Sequence, residues 1–126
     1  MPASVTDYNQ YDQQIWDEEL DGFVPMRIFD AHIHMLKLEH LSADTPELYT
    51  QSAEVDLSTL QAWARTLYPG RQVHFLVLGM PFLGIDVDAH NHWAIENLRA
   101  DSSSRMNRLV TPRCKIADIV RDIEEY

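Results

Sequence analysis

The apolar positions of this chain change period several times along its length, and each change predicts an element. Tyr8, Tyr11, Ile15, Trp16 and Leu20 recur at helical spacing within an acidic, polar stretch. This predicts a short amphipathic helix ending near Gly22, with Trp16 as its packing anchor. Met26-Arg27-Ile28-Phe29-Asp30-Ala31-His32-Ile33-His34 reads instead as a buried strand. Its alternation puts Ile28, Asp30, His32 and His34 on one face and Phe29, Ala31 and Ile33 on the other. Residues 35–53 are polar and aperiodic, which predicts a long connection of a kind that is usually functional or mobile. His40 lies in it, either facing a substrate or simply solvated.

Leu57, Leu60, Ala64 and Leu67 then describe one buried helical stripe, with Ser58 and Gln61 at capping-box spacing and Pro69-Gly70 as the stop. Val73 to Met80 is apolar on both faces apart from His74, the pattern of a parallel strand covered on both sides. His74 reads as a hydrogen-bonded core histidine. After a loop over 81–88, a helix is predicted over about 90–101, with Ala94, Ile95 and Leu98 inward and Asp101-Ser102-Ser103-Ser104 as the break. Met106 to Thr111 predicts a third strand ended by Pro112, and Ile116, Ile119, Val120 and Ile123 form one face of a last helix. Strand and helix thus alternate three times, which predicts an α/β fold with right-handed βαβ crossovers.

Composition narrows the partners. The 126 residues are 45% hydrophobic and 24% charged, as in a single globular domain. A formal net charge of -10 speaks against nucleic acid or an anionic membrane, because phosphate binding needs clustered Lys and Arg. Small molecules or proteins remain. No run is long and apolar enough to span a bilayer, and the first residues lack the pattern of a signal peptide. The single cysteine, Cys114, allows no internal disulfide and suits a reducing, cytoplasmic setting. It reads as a small packed residue rather than a ligand.

The candidate chemistry lies in the first strand. Two histidines spaced by two have Cβ atoms roughly 6 to 7 Å apart, and each Zn–N bond spans about 2 Å, so His32 and His34 can converge on one ion. The alternative is that their rings are merely hydrogen-bonded. Asp30 either orients a ligand imidazole or bonds backbone at the strand end. Asp88-Ala89-His90-Asn91-His92 echoes the motif, but at a helix start His90 and His92 are turned about 200° apart and cannot chelate one ion. Asp88 reads as the helix-start residue. His90 and His92 remain candidate substrate contacts, because a loop after the second strand ends at the same sheet edge as His32 and His34. Arg113, after the third strand, either binds a substrate carboxylate with its planar fork or is an exposed arginine without that duty.

Ile28-Phe29-Asp30-Ala31-His32-Ile33-His34, a further strand, Asn91-His92-Trp93-Ala94, and a Leu109-Val110-Thr111-Pro112 strand end together resemble the start of an amidohydrolase-related, metal-dependent hydrolase. The resemblance covers roughly residues 23–126. It implies the amino-terminal portion of a (β/α)8 TIM barrel, about three βα units, after an acidic helical arm over residues 1–22. It also implies a divalent metal, zinc first and manganese second, held by His32 and His34. Members hydrolyse amides, esters and lactones, and one branch decarboxylates acids. They complete the site with histidines from the fifth and sixth strands and an aspartate from the eighth. A whole barrel takes about 250 residues, so the chain reads as an incomplete hydrolase, inactive alone. Its exposed strand edges would favour homo-oligomers. The competing expectation is a non-catalytic α/β fragment or binding module.

Overall fold

A computed structural model describes residues 7–50, 53–112 and 114–125. Three parallel strands, β1 (Arg27–His34), β2 (Gln72–Leu78) and β3 (Arg105–Asn107), form one sheet in the order β1-β2-β3. An amino-terminal helix, α1 (Gln10–Ile15), widens into a π-helical turn at Trp16–Leu20. The remaining helices are α2 (Glu47–Thr50), α3 (Leu57–Leu67), α4 (Val87–Leu98) and α5 (Ile116–Glu125). The fold is therefore α/β with a small parallel sheet.

The core lies on one side of that sheet. Phe75 and Val77 of β2 cluster with Leu57, Leu60 and Ala64 of α3 and with Ala94 and Leu98 of α4, and Ile33 and Val73 pack against the same cluster. The opposite face is not covered: Arg27, Phe29, Gln72, Arg105 and Asn107 are exposed. β2 was expected to be covered on both sides, and the structure covers only one. Both crossover helices lie over the Phe75 and Val77 face, so Leu76 and Leu78 stay half-buried.

The amino-terminal arm is docked by Trp16, which is 4% exposed and meets Tyr68 edge-on at 6.1 Å. Arg71 completes the joint. Its guanidinium lies 5.0 Å from the Trp16 ring, pairs with Asp21 at 2.8 Å and donates to the carbonyls of Val24 and Pro69. An arginine just before a strand carries no sequence signal for such a role.

Several boundaries move, each for a visible reason. α3 is capped by Asp56, whose carboxylate accepts the Thr59 N–H at 2.8 Å; Ser58 is inside the helix and donates its hydroxyl to Asp56. The amide bond from Thr59 leads the causes that hold the Asp56 carboxyl below its ordinary pKa, outweighing partial burial. Asp56→Ala is expected to cost about 1 kcal/mol in urea unfolding, while Ser58→Ala costs under about 0.5 kcal/mol. Equal losses at both positions would return the cap to Ser58. α4 starts at Val87, three residues before the expected start, because Asp86 rather than Asp88 is its cap, accepting the Ala89 N–H at 3.0 Å.

β3 ends at Asn107, so the expected strand over 106–111 is not formed beyond that point. The Asn91 side chain takes both backbone groups of Leu109, accepting its N–H at 2.9 Å and donating to its carbonyl at 2.8 Å. Gly79 lets this segment approach, since a Cβ there would lie 2.5 Å from the Leu109 Cβ. The long connection after β1 is likewise tied down. Met35 and Leu36 are buried, Leu36 bridges to Val55, and a single 3-10 turn forms at Leu38–His40. Finally, on the Ile116, Ile119, Val120 and Ile123 face of α5, Ile119 is half-buried while the other three are 48 to 79% exposed.

Candidate functional site

β1 carries a bulge. Asp30 pairs with Phe75 and Ile33 with Val77, so three steps on β1 match two on β2. The extra residue reverses the alternation beyond it. Asp30 is thereby in register with the covered face, whereas His34 pairs with Leu78 and shares the open face with Phe29 and His74. The single shared face of Ile28, Asp30, His32 and His34 expected from strict alternation is not what forms.

The two imidazoles nevertheless meet at the carboxyl end of the strand. Their ring centroids are 5.3 Å apart, at an interplanar angle of 75°. A metal bound at about 2.0 Å lies roughly 3 Å from an imidazole centroid, so two rings on one tetrahedral ion have centroids about 5 Å apart. His34 is held by its Nδ1–H, which donates to the Leu78 carbonyl at 2.9 Å. In the neutral ring that bond fixes the tautomer, with the lone pair on Nε2 as a ligand imidazole requires. His32 is exposed. The Asp30 carboxylate accepts the His32 backbone N–H at 3.1 Å, so its bond is to backbone at the strand end.

Behind this pair lies a buried cluster that the sequence pattern did not bring together. His40, expected in solvent, is 7% exposed; its ring centroid is 6.0 Å from that of His90 and 5.7 Å from that of Trp93. The cause is the anchoring of the 3-10 turn, whose His40 carbonyl accepts the Asp86 N–H at the start of α4. His90 is fully buried. Its Nε2 accepts the Met80 N–H at 3.3 Å, which puts the proton of the neutral ring on Nδ1. Burial first, then the neighbouring His40 and His34, push the His90 pKa down to about 4. The Nδ1 atoms of both His40 and His90 are buried without a hydrogen-bond partner among the described residues.

The other candidates separate. His92 is exposed where His90 is buried, so the helix turns the two apart. Arg113 lies outside the described residues. Cys114 is half-buried beside Thr111, whose backbone N–H points to its Sγ at 3.4 Å. A larger cleft of about 1440 Å3, lined by Leu83, Ile95, Leu109, Ile119 and Ile123 among others, contains none of the histidines.

Among the described residues, no group of three or more His, Cys, Asp or Glu is placed to hold a metal ion. The donor set fits such an ion in part: His32 and His34 offer two nitrogens, where a catalytic zinc takes three protein ligands and a water. No described helix is long and apolar enough to cross a membrane. Comparison with protein-family models, curated proteins and solved structures finds no match.

Proposed function

We propose that this chain forms the opening part of a metal-dependent hydrolase barrel of the amidohydrolase-related kind, acting on a small molecule. His32 and His34 supply two ligands to a divalent ion, zinc first and manganese second. The observation that carries this reading is the His34 ring, tied through Nδ1 to the Leu78 carbonyl, beside the His32 ring at 5.3 Å at the carboxyl end of a parallel sheet. The fold supports it. Strands in sequential order, helices on one face and an uncovered opposite face are the features of a barrel wall.

When bound, such an ion lowers the pKa of a coordinated water and polarises a substrate carbonyl. This chain's residues orient and exclude. Leu78 fixes the His34 tautomer, Asp30 holds the His32 backbone, and the buried His40 and His90 pack with Trp93 behind the site as a wall. The third ligand and the general base lie outside this set, so hydrolysis requires further strands from elsewhere. Decarboxylation by the same kind of site is the alternative chemistry. A non-catalytic module is the second reading, favoured by the absence of a third ligand among the described residues.

Metal content separates the two. The hydrolase reading expects the purified chain to take up one zinc per molecule, measured by elemental analysis and competitive titration. His32→Ala or His34→Ala should each weaken binding about tenfold or more. A chain without stoichiometric metal, in which neither substitution changes uptake or stability, belongs to the second reading.

A further inference from the structure

At the other end of the sheet from His34, four hydrogen-bonding side chains meet over one cleft. Strand register sets Arg27 beside Gln72 and Phe29 beside His74, so these residues share the uncovered face. The turn before β3 brings Ser103 to the same place. Together with Ile28 they line a cleft of about 370 Å3.

Three of these groups are unengaged. The Arg27 guanidinium, the Gln72 carboxamide and the Ser103 hydroxyl have no hydrogen-bond or ion-pair partner among the described residues. In a chain with 20 Asp and Glu against 10 Lys and Arg, an arginine without a carboxylate beside it is a notable vacancy. His74 is held from behind. Its Nδ1–H donates to Asp101 at 2.8 Å, Asp101 also accepts the Ser104 hydroxyl at 2.6 Å, and Ser104 Oγ accepts the Phe75 N–H at 2.8 Å. Burial works to raise the Asp101 pKa, but hydrogen bonds from Ser104 and His74 outweigh it and keep the carboxyl below its ordinary value. This chain of bonds locks the imidazole and leaves Nε2 as its one uncommitted nitrogen.

We propose that this cleft binds the oxyanion group of a small molecule, a phosphate or a carboxylate. Arg27 supplies paired N–H donors in the planar arrangement that matches two anion oxygens. Gln72 and Ser103 supply further donors, beside the His74 ring that Asp101 holds in place. Among the six lining side chains there is no carboxylate to repel the ligand. The Phe29 ring, 51% exposed, offers an apolar surface for the rest of the molecule. The site shares no residue with the His32 and His34 pair; it belongs to this chain with its sheet face open, and closure of a barrel over that face would exclude the ligand.

The test is a two-dimensional 1H-15N NMR titration of the full chain with inorganic phosphate and, separately, with acetate, at constant ionic strength. Saturable shifts centred on Arg27, Gln72, His74 and Ser103 are expected. Arg27→Gln should weaken them about tenfold or more, the scale of one charge-assisted hydrogen bond. Arg27→Gln leaves the Asp101 clamp untouched, so a folded variant is available even where His74→Gln loosens the loop. Tighter binding of phosphate assigns a phosphorylated ligand and tighter binding of acetate a carboxylic acid; either supports the site. No saturation by either anion overturns it, as do shifts centred elsewhere or shifts that Arg27→Gln and Ser103→Ala both leave unchanged.

Discussion

Leu60→Ala is expected to lower the free energy of unfolding by about 3 to 5 kcal/mol. Leu60 is 1% exposed at the centre of the cluster that joins α3 and α4 to Phe75 and Val77 of β2. Its truncation removes apolar area from the core and leaves a cavity that close-packed neighbours refill only in part. A domain of this size has about 5 to 15 kcal/mol in total, so the loss is a large fraction of its stability. Urea denaturation followed by tryptophan fluorescence measures it. Ile123→Ala is the paired control. Ile123 belongs to an equally regular apolar stripe but is 69% exposed, so its truncation should change stability by less than about 0.5 kcal/mol. A loss at Ile123 as large as that at Leu60 would show that α5 buries its stripe in solution.

Acidification from pH 7 to pH 4 is expected to withdraw about 3 kcal/mol through His90 alone. In the folded chain, burial first and then the neighbouring His40 and His34 push its pKa down to about 4, against 6.5 for the free side chain. Between those values the unfolded state binds a proton that the folded state does not. Stability therefore rises with pH across this window, is fully present above about pH 6.5 and is lost as the pH falls towards 4. His90→Gln removes the titration. Carboxylates such as Asp56 and Asp101, whose pKa values are lowered, also lose stability in acid, but they do so in both proteins and cancel in the difference. The stability gap between the two proteins should shrink by about 3 kcal/mol from pH 7 to pH 4. An unchanged gap would mean that the His90 ring is hydrated or already protonated in the fold.

Much of the architecture is legible in local pattern. The α3 stripe is buried at Leu57, Leu60 and Ala64 as its spacing predicts, because 3.6-residue periodicity is set by the helix itself, while Leu67 in the last turn is 39% exposed. The Pro69-Gly70 stop coincides with the end of α3, Gly70 taking the positive φ of 73° that a side chain would resist. His74 is hydrogen-bonded as expected, but half-buried on the uncovered face rather than in the core, because both crossover helices lie on the other side. The same logic carries less far for α5, where Ile119 is half-buried but Ile116, Val120 and Ile123 are left exposed. Periodicity states that a face can be buried, not that a surface exists to bury it.

The site was legible in part. His-x-His in a strand names a pair of imidazoles, and that pair does meet at the carboxyl end of β1. Strict alternation does not describe its route there, because a bulge depends on the pairing of β1 with β2 and leaves no mark in the β1 residues. The burial of His40 is hidden from local pattern for a similar reason. Its burial depends on the Asp86 N–H bond to its carbonyl and on the packing of Trp93, both from residues far along the chain. Asn91 passed as part of a motif, yet its carboxamide decides where β3 ends.

Short-range periodicity and backbone preference set the first two strands, the α/β alternation, the stop of α3 at Pro69-Gly70 and the presence of two closely spaced histidines. Packing between distant segments settles which face of the sheet is covered, which histidines are buried, and which polar groups meet over the Arg27 and His74 cleft. Those outcomes rest on register and on contacts between residues far apart in the chain, whose energies no local pattern encodes.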